Sequence, residues 1–125
     1  MKKSFFCFLL VTLMSGSIKA QLANSKWKGI LEIGSPVNVS FEFGKDTLAV
    51  MNLDQNSVLE TMIYKVTNST FTIVKIAGES DCESSTIGKY KYEIKENTLI
   101  LTTVEDVCDD RGPVLNNVKL TRNTL

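Results

Sequence analysis

The chain has 125 residues, with 14 basic and 14 acidic side chains, three cysteines and no histidine. The missing imidazole excludes a Ser-His-Asp or Cys-His catalytic unit, a histidine-ligated zinc and a histidine-bound haem. No Walker-type or dinucleotide-type glycine loop occurs either.

Residues 1–20 place Lys2 and Lys3 ahead of an apolar run from Phe5 to Met14, then Ser15-Gly16-Ser17 and Ile18-Lys19-Ala20 before Gln21. That is the pattern of a secretory signal peptide with its small-residue cleavage site. The apolar run is far below the roughly 20 residues a membrane-spanning helix needs. Cys7 follows Ser4-Phe5-Phe6 and lacks the small residue that a lipoprotein cleavage site requires. The expected product is residues 21–125, periplasmic or secreted, without a membrane anchor. Loss of Lys2, Lys3 and Lys19 leaves 11 basic against 14 acidic side chains. Such a mildly acidic chain has no electrostatic footprint for nucleic acid. Its size suits one domain with one core, expected as a monomer.

From residue 26 onward the apolar pattern has a period of two, in runs rich in Val, Ile, Phe, Tyr and Thr. Eight strands are expected, at about 26–33, 37–44, 47–53, 57–67, 70–77, 88–95, 98–105 and 114–122. In Val37-Asn38-Val39-Ser40-Phe41-Glu42-Phe43 every odd position is apolar and every even one polar, so one face is buried and the other wet. The sixth strand repeats this, with Tyr90, Tyr92 and Ile94 opposed to Lys89, Lys91, Glu93 and Lys95. Most links are short and carry turn residues: Gly34-Ser35-Pro36, Gly44-Lys45-Asp46, Asp54-Gln55-Asn56, Asn68-Ser69 and Glu96-Asn97. Short links make antiparallel neighbours, and eight such strands remove both free edges by closing into an up-and-down barrel.

In that arrangement the links after strands one, three, five and seven share one end of the barrel. Cys82 and Cys108 fall in the links after strands five and seven, so both reach that end and are expected to bond in an exported chain. The start of the first strand lies beside the end of the last, at the opposite end. Trp27 is thereby expected under Arg122, a cation–π contact that plugs that end.

Strand parity points Leu31, Val39, Phe41, Phe43, Tyr90, Tyr92, Val118 and Leu120 inward. Met62 and Tyr64 share a face with Glu60, which needs a partner or the barrel mouth. Phe41, Phe43, Met62, Tyr64, Tyr90 and Tyr92 are the candidate lining of an apolar pocket with phenolic hydroxyls for orientation. The same residues equally describe a packed core. The acids Glu105, Asp106, Asp109 and Asp110, with Glu79, Asp81 and Glu83 nearby if the disulfide forms, lack the regular spacing of a calcium loop. No metal or cofactor is expected. Asp106 and Arg111 read as an ion pair that fixes the loop.

Trp27 with Gly29 on the first strand and Arg122 on the last are similar to the tryptophan and arginine that close the barrel of lipocalin-like proteins of the calycin type. Cys82, Gly88-Lys89-Tyr90, Asn97-Thr98-Leu99, Asp106, Cys108 and Arg111 resemble the second half of small bacterial exported lipocalin-like domains. The resemblance implies an exported module that binds a small apolar or amphipathic molecule without catalysis. One alternative is a protein-interaction domain, such as a secreted protease inhibitor, with a packed barrel and contact-making end loops. Another is an enzyme working through paired carboxylates. A cavity of at least about 300 Å³ favours the binding module, and a filled interior with exposed apolar loop tips favours the interaction domain.

Overall fold

The computed structural model describes residues 22–123; the expected leader and its cleavage site lie outside the described residues. The chain forms β1 (Ser25–Glu32), β2 (Pro36–Phe43), β3 (Thr47–Asn52), β4 (Ser57–Thr67), β5 (Thr70–Gly78), β6 (Gly88–Lys95), β7 (Thr98–Glu105), a single helical turn α1 (Gly112–Leu115) and β8 (Lys119–Arg122). The strands close in chain order into one antiparallel barrel of eight. Closure rests on β1 and β8, where Trp27 pairs with Arg122 and Lys28 with Thr121. Short hairpins drive this order, because their tips adopt the left-handed backbone that asparagine tolerates: Asn56 and Asn68 have φ of 53° and 57°.

The last strand differs from its expected span of 114–122. Residues 112–115 make a helical turn instead, and β8 begins only at Lys119. Pro113 has no N–H to give a sheet ladder, and its φ suits a first helical turn. Arg111 and Gly112 both donate their amides to the Cys108 carbonyl, and Leu115 donates to Arg111. Asn117, at φ 65°, then turns the chain into β8.

The core sits inside the barrel. Leu31, Val39, Phe41, Phe43, Tyr90, Tyr92, Val118 and Leu120 are all buried, as are Met62 and Tyr64. Alternation explains β6, whose lysines and Glu93 lie on the outer face, and most of β2, where Asn38 is exposed but Ser40 is buried with no hydrogen-bond partner for its hydroxyl among the described residues. Two register shifts interrupt β4, opposite Val50/Met51 and at Thr61/Met62. The first leaves Leu59 without a partner on β3, so Leu59 and Glu60 sit side by side near the strand's start.

Candidate functional site

The two ends of the barrel are built differently. At the end carrying the links after β2, β4 and β6, aromatic rings fill the interior. Phe43 meets Tyr64 edge-on at 5.1 Å and Phe71 at 6.0 Å between ring centroids. Phe71 stacks on Tyr90 at 5.8 Å and lies 5.9 Å from Tyr92. Tyr64 donates its hydroxyl to the Gly44 carbonyl at 2.6 Å, and Tyr92 donates to Asn68 at 3.4 Å. Burial first, and Asp46 and Tyr92 next, push the Tyr64 hydroxyl above its ordinary pKa, and burial does the same to Tyr92. Below them the Arg122 guanidinium carbon lies 4.3 Å from the centre of the Trp27 ring. The Trp27 Nε1–H donates to Ser25 Oγ at 2.8 Å, and Ser25 in turn donates to the Leu22 carbonyl at 2.5 Å. The indole N–H therefore has its partner, which lets a large ring stay fully buried.

The opposite end carries the links after β1, β3, β5 and β7 and holds a cavity of about 330 Å³. Its apolar wall comes from Leu31, Ile33, Val50, Leu59, Met62, Val114 and Leu115, and its polar wall from Glu32, Glu60, Glu79, Ser80, Asp109, Asp110 and Arg111. The helical turn matters here. Had residues 114–118 continued as a strand, Val114 and Leu115 would alternate across the sheet; as a turn, both reach the cavity.

Cross-links hold the loops around this space. A disulfide joins Cys82 to Cys108, with the Cα atoms 5.5 Å apart. Arg111 donates through Nε to Asp106 Oδ2 at 2.5 Å, through Nη2 to Oδ1 at 3.2 Å and through Nη2 to the Thr86 carbonyl at 3.0 Å. Tyr90 donates its hydroxyl to Asp106 Oδ2, and the Cys108 amide donates to Oδ1 at 3.0 Å. Gly88 belongs to this knot, because a Cβ there would run into the Asp106 carboxylate. Burial by itself would raise the Asp106 carboxyl, but hydrogen bonds from Arg111, Tyr90 and the Cys108 amide, with the guanidinium charge, outweigh it and hold its pKa below the ordinary value. Burial and the bond to Asp106 push Tyr90 far above the ordinary phenol value. On Arg111, burial works against the charge, and Asp106 overrides it and raises the pKa. The pair is buried and bidentate, so its loss would strand a charge. Asp110 extends the knot by accepting the Asp81 amide at 2.8 Å.

Glu60 stands apart. It is 8% exposed, borders the cavity, and accepts the Ser80 amide at 3.2 Å and the Ser80 hydroxyl. Gly78, at φ 144°, allows this approach, since a Cβ there would meet the Leu59 carbonyl at 2.6 Å and the Glu60 carboxylate. Among the described residues the ion pairs are Lys95–Glu93 and Arg111–Asp106, so Glu60 has no cation. Arg111 is 4% exposed, and its Nη1 has no hydrogen-bond partner among the described residues.

Of the six candidate lining residues, Met62 borders the cavity. Phe41, Phe43, Tyr64, Tyr90 and Tyr92 pack in the core instead, with Phe41 6.5 Å from Phe43. Their size is the reason, since rings at that level leave no room. The residues that do line the space are smaller and sit at the strand ends near the disulfide. Inward parity combined with the end marked by Cys82 and Cys108 would have singled out Leu31, Val50 and Glu60. Nothing in the pattern marked Leu59, Val114 or Leu115. Among the described residues no three acids or cysteines converge in a way that would hold a metal ion.

The fold and site together define a closed antiparallel β-barrel, solid at one end and hollow at a cross-linked, acid-rimmed other end. No family model, curated protein or solved structure matches this chain.

Proposed function

We propose that the protein is an exported, lipocalin-like binding module that takes one small apolar or amphipathic molecule into the cavity at the disulfide end. The observation that carries this reading is the 330 Å³ space with a largely apolar wall, in a barrel small enough to have been filled. That volume lies at the lower end of ordinary ligand pockets, about 300–1,000 Å³, and admits a ligand with a body of short-chain or single-ring size. The leader pattern of residues 1–20 and the cysteine pair support export. The residues shared with small bacterial lipocalin-like domains, from Trp27 to Arg122, support the class.

Titration with an environment-sensitive fluorophore tests the reading. Saturable binding at one site per chain is expected, and Leu59→Trp, which fills the space from its wall, is expected to abolish it while the unfolding transition persists. Equal binding by Leu59→Trp would place the probe elsewhere and count against the cavity.

A second reading rests on a separate observation. Ile33, Leu53, Ile76, Ile87 and Val107 are all exposed and belong to the links, or the strand ends beside them, at the cavity end; Val107 is 79% exposed. Apolar tips of this kind suit contact with another protein, as in a secreted inhibitor. Leu53→Ser with Val107→Ser separates the two: it would remove partner binding and leave the cavity titration intact.

A further inference from the structure

The cavity wall is charged in a lopsided way. Five carboxylates border it, those of Glu32, Glu60, Glu79, Asp109 and Asp110, against the single guanidinium of Arg111. That guanidinium is already matched by Asp106 through two hydrogen bonds. The space is therefore electrically negative, and its field reaches across the mouth, because screening at physiological salt acts over about 8 Å.

Among these acids Glu60 differs in kind. The other four acids are exposed at the rim, whereas Glu60 is 8% exposed and is held in place by Ser80 and by the close approach of Gly78. Both its hydrogen bonds come from neutral donors. Lys75, the nearby cation, donates to the Ser80 carbonyl at 2.5 Å and makes no ion pair with Glu60. A buried carboxylate without a counter-charge is costly, and the barrel nevertheless sets one against an apolar space. The unpartnered Nη1 of Arg111, in a residue 4% exposed at the same wall, is a second polar atom that lacks its complement.

Resting on the binding reading above, we infer that the ligand is a cationic amphiphile: an apolar body against Val50, Leu59, Met62 and Leu115, with a protonated amine seated on the Glu60 carboxylate. A fatty acid would satisfy Nη1 of Arg111, but only by bringing a further negative charge among five, next to a guanidinium already neutralised. A neutral oxygen, such as a hydroxyl or an amide carbonyl, can accept from Nη1 without that penalty. The favoured chemistry is thus an amine, with or without a neutral oxygen, and not an acid.

Three probes with the same eight-carbon body decide it: 1-octylamine, 1-octanol and octanoate, titrated into the full exported chain at neutral pH by calorimetry. Octylamine is expected to bind about tenfold or more tightly than octanol, the size of a charge-assisted hydrogen bond, and octanoate more weakly than both. Glu60→Gln, which keeps an acceptor for Ser80, is expected to bring octylamine down to the affinity of octanol. Glu79→Gln, at the rim, is expected to weaken octylamine about twofold to threefold, with that loss disappearing in 0.5 M salt. Octanol binding as tightly as octylamine, or octanoate more tightly, overturns the inference and leaves the cavity reading standing. Failure of all three to bind overturns both. The ranking within the wild-type chain decides the matter even if Glu60→Gln does not fold.

Discussion

One end of this barrel is held by packing and the other by cross-links. At the Trp27 end, rings from Phe43, Tyr64, Phe71 and Tyr92 fill the interior, and the Trp27 ring nitrogen and the Ser25 hydroxyl each have a hydrogen-bond partner. At the Cys82 end, a disulfide and a buried Asp106–Arg111 pair hold long links around empty space. A void forfeits the dispersion and burial that stabilise the filled end. Loops bordering it therefore need covalent and charged ties to keep their shape. Close packing and open space thus lie at opposite ends of one barrel, and each end is expected to be disturbed with limited damage to the other.

The largest expected effect comes from the filled end. Trp27→Ala removes a fully buried ring and is expected to cost about 3 to 5 kcal/mol in urea unfolding. Molecules that remain folded should bind a cavity probe with unchanged affinity. Weakened binding in the folded fraction would mean that the two ends are coupled.

Next comes the tie at the hollow end. The Cys82→Ser, Cys108→Ser double variant opens a closed span of 26 residues and is expected to cost roughly 2 to 4 kcal/mol. Unlike Trp27→Ala, it should also weaken probe binding, because the link after β5 is freed beside Glu79 and Ser80. Calorimetric titration of the variant checks this, and unaltered affinity would show that the cavity keeps its shape without the bond.

The acid–base behaviour of the same end is a sharper test. Asp106 has a lowered pKa in the folded state, so its contribution is fully present above the ordinary carboxylate range and is lost as pH falls through its depressed value. Tyr90 has a raised pKa, so its contribution is present below the ordinary phenol value, about 10, and is lost as pH rises beyond it. Stability measured from pH 2 to 5 should fall less steeply in Asp106→Asn than in wild type. An identical acid limb would remove Asp106 from the account.

The smallest effect is the contact that closes the barrel. A double-mutant cycle of Trp27→Ala and Arg122→Ala is expected to give a coupling of about 0.5 to 2 kcal/mol, the range for a cation–π pair. Coupling of zero would leave the ring's burial as its whole contribution.

How much of this could be read from the residues follows the same division. Alternation is a backbone property, so β2 and β6 and the inward face of each were legible wherever polar and apolar positions took turns. Topology followed from link length, which brought Cys82 and Cys108 to one end. The final segment was misread because Val114, Leu115, Val118 and Leu120 have strand-like composition, while the decisive information lay in the missing N–H of Pro113 and in the turn at Asn117. The cavity was out of reach for a different reason. Parity says which side chains point inward, but a void depends on the summed volume at each level of the barrel, where aromatic rings on four strands fill one level and Val50, Leu59 and Leu31 leave the next one open. Glu60 was visible as an inward acid needing a partner or a mouth, and the structure gives it Ser80 and the cavity wall together.

The claim that one end is hollow and receptive while the other is solid is tested most directly by a methyl-resolved NMR titration with 1-octanol. Saturable shifts are expected at the methyl groups of Met62, Leu31, Val50, Leu59 and Leu115, fitting one site, with Leu99 and Leu120 beside the Trp27 plug unmoved. Shifts centred on Leu99 and Leu120, or no saturable shift at the cavity methyls, would contradict it.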